Sequence, residues 1–310
     1  MCVETDFDFA LLPAAGDSRL VDLEFVRGHC FPPASAAARH FGSSASTPGA
    51  LSGFEDENGV QIQIGSVGRY WLKEGTRVMS YELDQCCSHA DAQHWFSGFV
   101  LGVVAQLQQR TVLHASAVMI DGKGVAFIGV GGTGKTTLAA SFGRVGVPVL
   151  SEDSLPVRVE PEGVVATPYV PGIRLWPQSL AELGGTDSSY DLALSWQLKR
   201  RVPIGGEWGR VAQEEAPLGA VYDLSPNLAG SGEIVVDEIT GAEKVMRLVG
   251  STYFAEVLSP LQQVKLMDRL KVVADAVRMR RITYPRTFEA LPALREAISR
   301  DATEVAHGRI

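Results

Sequence analysis

The chain has 310 residues, 45% hydrophobic and 21% charged, which is the size and composition of a globular protein with one large domain or two smaller ones. A net charge of −8 at pH 7 argues against a nucleic-acid partner, whose phosphates call for a basic face. Cys2, Cys30, Cys86 and Cys87 lack the spacing of a zinc site or a disulfide framework, and the most hydrophobic segment, Trp95 to Ala105, is too short to span a bilayer. With no signal-peptide pattern at the start, a cytoplasmic protein without a membrane partner is expected.

Residues 1–90 read as a β-rich N-terminal region. Val21-Asp-Leu-Glu-Phe-Val26 and Gln61-Ile-Gln-Ile64 alternate in the strand period, and Arg69 to Leu72 and Arg77 to Leu83 give two more strands around a Glu74-Gly75 turn. Pro32 to Gly53, rich in Ala, Ser, Pro and Gly, reads as a loop. From Asp91 to Gln109 the pattern is helical, with Trp95, Phe99, Val103 and Leu107 on one core-facing stripe. Residues 91–310 then read as one nucleotide domain. Val112 to Ile120 and Gly124 to Ile128 form a hairpin over Asp121-Gly-Lys-Gly124, and Val147 to Leu150 is the next strand. A second hairpin, 157–160 with 164–167, is followed by strands at Leu218 to Leu224 and Glu233 to Glu238. Helical patches near Leu258–Met279 and Phe288–Arg300 close the chain.

Between the strand ending at Ile128 and a helix at Thr137 to Phe142 lies Gly129-Val-Gly-Gly-Thr-Gly-Lys-Thr-Thr137, a complete G-x-x-x-x-G-K-[ST] loop. Glycines let the backbone amides of Gly129, Gly131, Gly132, Thr133 and Gly134 wrap a polyphosphate, and the helix dipole reinforces them at Lys135, Thr136 and Thr137. Lys135 is placed to reach the β/γ oxygens and the Thr136 hydroxyl to hold Mg²⁺, so ATP and Mg²⁺ are the expected cofactors. Leu150-Ser-Glu-Asp-Ser154 puts two acids where the following strand ends, the crevice side of an open α/β sheet. One of Glu152 and Asp153 would reach the metal while the other takes a proton from an attacking hydroxyl. His114, alone in an apolar strand, reads by itself as a hydrogen-bonded core residue.

The order and spacing of Leu113-His114-Ala-Ser-Ala-Val118, the loop and Leu150-Ser-Glu-Asp153 resemble the catalytic domain of HPr kinase/phosphorylase. Tyr169-Val-Pro-Gly-Ile-Arg-Leu-Trp-Pro177 and Arg278-Met-Arg-Arg-Ile-Thr-Tyr-Pro-Arg-Thr-Phe-Glu-Ala-Leu-Pro292 extend the resemblance across roughly residues 111–300. It implies an α/β fold with a P-loop nucleotide domain of the HPr kinase/phosphoenolpyruvate carboxykinase type, and phosphoryl transfer to a serine hydroxyl. It also implies that Glu152 and Asp153 are the paired acids, with Asp153 near Mg²⁺ or acting as base, and that His114 helps arrange them. Lys199-Arg200-Arg201 stands where basic residues neutralise the transferring group, with Arg200 taken as its catalytic member and Arg174 as a weaker candidate.

The chain departs from that pattern in lacking the family's Arg-Gly-Met-Gly-like loop; Gly205-Gly-Glu-Trp-Gly209 does not match it. Relatives without the loop include tailoring kinases acting on lasso-peptide precursors, which implies a peptide or small-protein acceptor. HPr kinases form rings, so the resemblance also leaves room for a homo-oligomer. Two other readings stay open: a small-molecule kinase with Tyr70, Trp71 and Trp176 lining a pocket, and a nucleotide-switched regulatory module without transfer.

Overall fold

A computed structural model describes residues 3–5, 23–28, 31–42, 50–73, 76, 78–108, 110–169, 172–229, 232–253 and 255–306. The chain forms two compact units, Met1–Val100 and Leu101–Ile310. The architecture is mixed α/β, and no helix among the described residues is long and apolar enough to cross a membrane.

The first unit holds β1 (Val3–Thr5), β2 (Leu23–Arg27), β3 (Arg39–Gly42), β4 (Leu51–Asp56), β5 (Gly59–Ile64), β6 (Gly68–Lys73) and β7 (Val78–Leu83). They make one sheet in the order β1-β2-β7-β6-β5-β4-β3. Alternation buries Val60, Ile62 and Ile64 on one face of β5. Part of the expected 32–53 loop is strand: β3 pairs with β4, and Arg39 is held opposite Glu55 at 2.7 Å. A cross-strand ion pair of that kind offsets a weak local propensity. The Glu74-Gly75 turn, Cys2, Cys30 and residues 21–22 of the expected first strand lie outside the described residues. Cys86 and Cys87 are free thiols.

The helical stretch expected from residue 91 is realised as α1 (His89–Trp95) and a π-turn over Phe96–Val100 in the first unit, and α2 (Leu101–Leu107) in the second. Ala92, Phe96, Val100, Leu101, Val103, Val104 and Ala105 are the buried apolar residues, so of the expected stripe only Val103 is buried. A π-turn adds a residue per turn and shifts the phase of every later side chain, which a 3.6-residue period cannot anticipate.

The second unit continues with β8 (Thr111–Leu113), β9 (Ser116–Ile120), β10 (Lys123–Ile128), α3 (Lys135–Arg144), β11 (Val149–Ser151), β12 (Leu155–Glu160) and β13 (Gly163–Ala166). Then come β14 (Ile173–Leu175), α4 (Pro177–Glu182), β15 (Arg200–Val202), β16 (Ala216–Asn227) and β17 (Val235–Glu238). The C-terminal part is α5 (Ala242–Gly250), α6 (Pro260–Ala276), β18 (Arg278–Pro285) and α7 (Leu291–Ala306). The main sheet runs β11-β9-β10-β16-β13-β12-β8, with β18 on β16 and β17 on β18; β10, β16 and β18 are mutually parallel where they pair. The β9–β10 hairpin turns at Asp121 and Gly122, both at positive φ (48° and 73°), as a two-residue primed turn requires.

Two expectations are corrected in this sheet. Val112 to Ile120 is not one strand: the chain leaves β8, which pairs β12, and re-enters as β9, which pairs β10 and β11. His114 sits at the break, its N–H donating to the Ser251 carbonyl at 2.6 Å. The helical patch expected to reach Met279 ends at Ala276, and β18 follows as a strand paired on both sides. Its arginines are accommodated by partners distant in sequence: Asp301 on α7 accepts from Arg278 and Arg280 and from the Tyr222 hydroxyl. The core on that face packs Phe127, Leu138, Phe142, Tyr222, Ile282 and Ile298 between sheet, α3 and α7.

Candidate active site

Strand β10 is buried from Val125 to Ile128 and delivers the chain to the glycine-rich loop at its C-terminal end. Gly129, Gly132 and Gly134 have φ of 139°, 84° and 95°. Gly134 caps α3 in the left-handed region, where a Cβ would be strained. A Cβ on Gly129 would meet Thr133 Oγ1 at 3.0 Å. Lys135 opens α3, and its ammonium donates to the carbonyls of Gly129 (2.7 Å) and Val130 (3.3 Å). Burial pulls its pKa down while Asp153 works against that shift. Thr133 folds its hydroxyl onto Val130 O, and Thr137 donates to Ser179 of α4 at 3.2 Å.

The acids lie in a tight turn at the end of β11. Ser154 N–H donates to Glu152 O at 2.8 Å across Asp153, whose φ of 66° is rare for a residue with a side chain. Strained backbone of this kind persists where surroundings over-determine it. The turn sends the two carboxylates to different partners. Glu152, 3% exposed, accepts from Thr136 Oγ1 at 3.1 Å through Oε1 and from Arg174 Nε at 3.1 Å through Oε2. Asp153 meets Arg174 Nη2 at 2.7 Å through Oδ2 and His114 Nδ1 at 3.3 Å through Oδ1.

His114 Nδ1 also lies 3.2 Å from the Asp153 carbonyl. Both of its neighbours can only accept, so Nδ1 carries the hydrogen and Nε2 is left with its lone pair. Burial lowers the His114 pKa, with Asp153 opposing, so the ring is neutral at pH 7. Tyr253 completes the group: its hydroxyl hydrogen-bonds the Asp153 carboxylate, and its ring centroid lies 4.4 Å from that of His114. The 251–253 segment is held on β8 by Tyr253 N–H to Val112 O at 3.1 Å, and Gln106 donates to Tyr253 O at 2.8 Å.

These environments separate the two acids electrically. For Glu152, burial dominates and raises the pKa, with Arg174 pulling back and Asp153 adding to the rise. For Asp153, burial also acts upward, but Arg174, His114 and Tyr253 outweigh it and hold the carboxyl well below its ordinary range. Arg174 resists its own burial because both carboxylates keep it charged.

The basic cluster divides by strand alternation. In the β14–β15 ladder Arg174 opposes Arg201 and Leu175 opposes Arg200, so Arg200 lies on the face of Leu175, away from Arg174. It pairs with Asp187 at 2.6 Å, and the structure does not bring it to the acids. Lys199 does interact with them. Its ammonium lies 5.3 Å from the Trp176 ring centroid, and its pKa is lowered by burial and Arg174, with Glu152 and Asp153 opposing. The sequence carries no local signal that separates Lys199 from its neighbours in the run, that joins Arg174 to both acids, or that brings in Tyr253.

Mg²⁺ takes oxygen donors, keeps several waters and is commonly held by one or two carboxylates together with substrate phosphates. The Thr136 hydroxyl and Glu152 Oε1, paired at 3.1 Å beside the loop, fit that donor set. Among the described residues no group of three or more His, Cys, Asp or Glu side chains offers an all-protein metal cage.

No family model and no curated protein matches the chain. Among solved structures it is similar to the Hpr(Ser) kinase/phosphatase from Coxiella burnetii, at 12% identity and a TM-score of 0.37, over 64% of this chain and 99% of that one.

Proposed function

We propose that the protein is an ATP- and Mg²⁺-dependent serine kinase of HPr kinase-like type, moving the γ-phosphate to a hydroxyl of a peptide or small protein. On this reading the second unit is a P-loop nucleotide domain, and a lasso-peptide precursor is the acceptor that the sequence resemblance suggests. The observation that carries the proposal is the division of labour between adjacent acids. Glu152 is hydrogen-bonded to Thr136 of the loop, while Asp153 is turned to His114 and Tyr253. A module that only sensed nucleotide would need the first arrangement and not the second.

The acceptor hydroxyl enters beside Asp153, and its proton passes to that carboxylate as its oxygen bonds to the γ-phosphorus. The bond to the β–γ bridging oxygen breaks, and ADP leaves with the electron pair. Transfer through a loose transition state depends mainly on positioning and charge, so an ionised acceptor of modest basicity suffices. Lys135, Lys199 and Arg174 supply the cations around the transferring group. Thr136 and Glu152 would hold Mg²⁺, which when bound neutralises charge on the β/γ-phosphates.

The test is incubation with γ-labelled ATP, Mg²⁺ and serine-containing peptides, following labelled product and free phosphate together. Label on a seryl hydroxyl supports the reading, and label found only on small hydroxy compounds would move it to a small-molecule kinase. Nucleotide binding without transfer to any acceptor would overturn it in favour of a switch.

The basic cluster gives a sharper expectation. Lys199→Met should slow transfer about a hundredfold, the cost of losing one directed charge at a reacting phosphate. Arg200→Met, which removes a half-buried pair with Asp187 and a hydrogen bond to Tyr190 O but no contact with the acids, should change it less than about threefold. Equal losses in single-turnover rates of the two variants would show that neither cation is placed as described.

A further inference from the structure

The glycine-rich loop has a second cationic neighbour besides Lys135. Strand β18 ends beside the loop, where the Tyr284 hydroxyl donates to Thr133 O and Arg286 Nη2 donates to Gly132 O at 3.0 Å. Arg286 is the first residue after β18, two positions beyond Tyr284, and the two side chains reach adjacent carbonyls of the loop. They differ in kind. Tyr284 is buried and fixes the loop from within, whereas Arg286 is exposed. Its backbone is fixed in turn, the N–H donating to Asn227 O at 3.1 Å.

Arg286 also differs from the arginines before it on the same segment. Arg278 and Arg280 are held by Asp301, and Arg281 by Glu243. Among the described residues Arg286 has no carboxylate within ion-pair distance, only a neutral carbonyl of the loop. Its charge is therefore uncommitted at the middle of the loop, the stretch whose backbone cradles the α/β-phosphates, while Lys135 and Thr136 lie toward the acids. A guanidinium gains more from phosphate oxygens than from a carbonyl, because the bonds become charge-assisted and can be bidentate.

We propose that Arg286 is a phosphate ligand for the diphosphate part of the donor nucleotide, exchanging the Gly132 carbonyl for α/β-phosphate oxygens. The inference rests on the nucleotide-binding part of the proposed function. It assigns to the arginine a grip on the part of the nucleotide that is the same before and after transfer.

Equilibrium binding of ADP and of inorganic pyrophosphate to the full chain, measured calorimetrically in Mg²⁺ buffer, tests it. Arg286→Gln keeps an amide N–H donor on a shorter side chain and removes the charge. It should weaken both ligands about tenfold or more, leave the melting temperature of the ligand-free chain in place and shrink the upward shift that ADP produces. Arg286→Lys should recover part of the loss. Unchanged affinities in Arg286→Gln would overturn the inference while leaving nucleotide binding standing. Weakened ADP binding with unchanged pyrophosphate binding would also overturn it, by placing the arginine on the nucleoside. Absence of binding by the parent chain would instead remove the nucleotide reading on which the inference depends.

Discussion

Replacing Asp153 by Asn is expected to slow phosphoryl transfer about a hundredfold to a thousandfold while ATP binds at least as tightly as before. Asn keeps the size of the side chain and an oxygen for the Arg174 guanidinium, which lies 2.7 Å from Asp153 Oδ2. It loses the charge that, in the proposed function, receives the acceptor's proton. The depressed pKa of Asp153, where burial is outweighed by Arg174, His114 and Tyr253, keeps it ionised but makes it a weak base. The loss should therefore fall toward the lower part of the range for general-base catalysis, about 10²- to 10⁴-fold. Removing a negative charge that interacts with Lys135 leaves the loop more cationic, so nucleotide affinity has no reason to fall. Single-turnover transfer measured beside equilibrium ATP binding separates the two effects. Transfer within about threefold of the parent rate would sink the role assigned to Asp153, as would a matching loss of ATP affinity.

That contrast follows from what is legible in the sequence and what is not. The loop, the strand before it and the acids after it are short-range patterns, since each follows from spacing within a few residues. The division between Glu152 and Asp153 is not local. It depends on the left-handed backbone at Asp153 and on Arg174, which sits on another strand. The basic cluster is visible as a run, but only the β14–β15 register puts Arg200 on the face away from Arg174, where it pairs with Asp187 instead of the acids. His114 reads as part of a continuous strand because Val112 to Ile120 is largely apolar. The break there comes from pairing with the 251–253 segment, which also brings in Tyr253. Strand β18 reads partly as helix and partly as a motif, because Arg278, Arg280 and Arg281 look unsuited to a doubly paired strand until Asp301 and Glu243 are placed beside them.

Arg174 is where stability and chemistry meet, and Arg174→Met should affect both. The guanidinium is the cation shared by Glu152 and Asp153, at 3.0 and 2.7 Å, with its own side chain 15% exposed. Methionine fills similar volume and leaves two adjacent carboxylates with little water. Removing one partner of a buried ion pair costs about 3–5 kcal/mol, and the partial exposure of Asp153 places this case near the lower figure. The pH dependence identifies the cause. In the parent chain the folded pKa of Asp153 lies below its ordinary 3.8, so its contribution to stability is present above that value and lost as pH falls through the folded pKa. Without Arg174, burial and mutual repulsion act unopposed by that cation, so the pKa of Glu152, already raised, goes higher and that of Asp153 rises from its depressed position. The variant's folded state then takes up protons as pH falls, and its deficit relative to the parent shrinks. Chemical denaturation followed by tryptophan fluorescence should show a deficit of about 3 kcal/mol at pH 8 and a clearly smaller one at pH 5.5. A deficit that is the same at both pH values would mean that the substitution is only a packing defect and that Arg174 does not set the charge state of the acids.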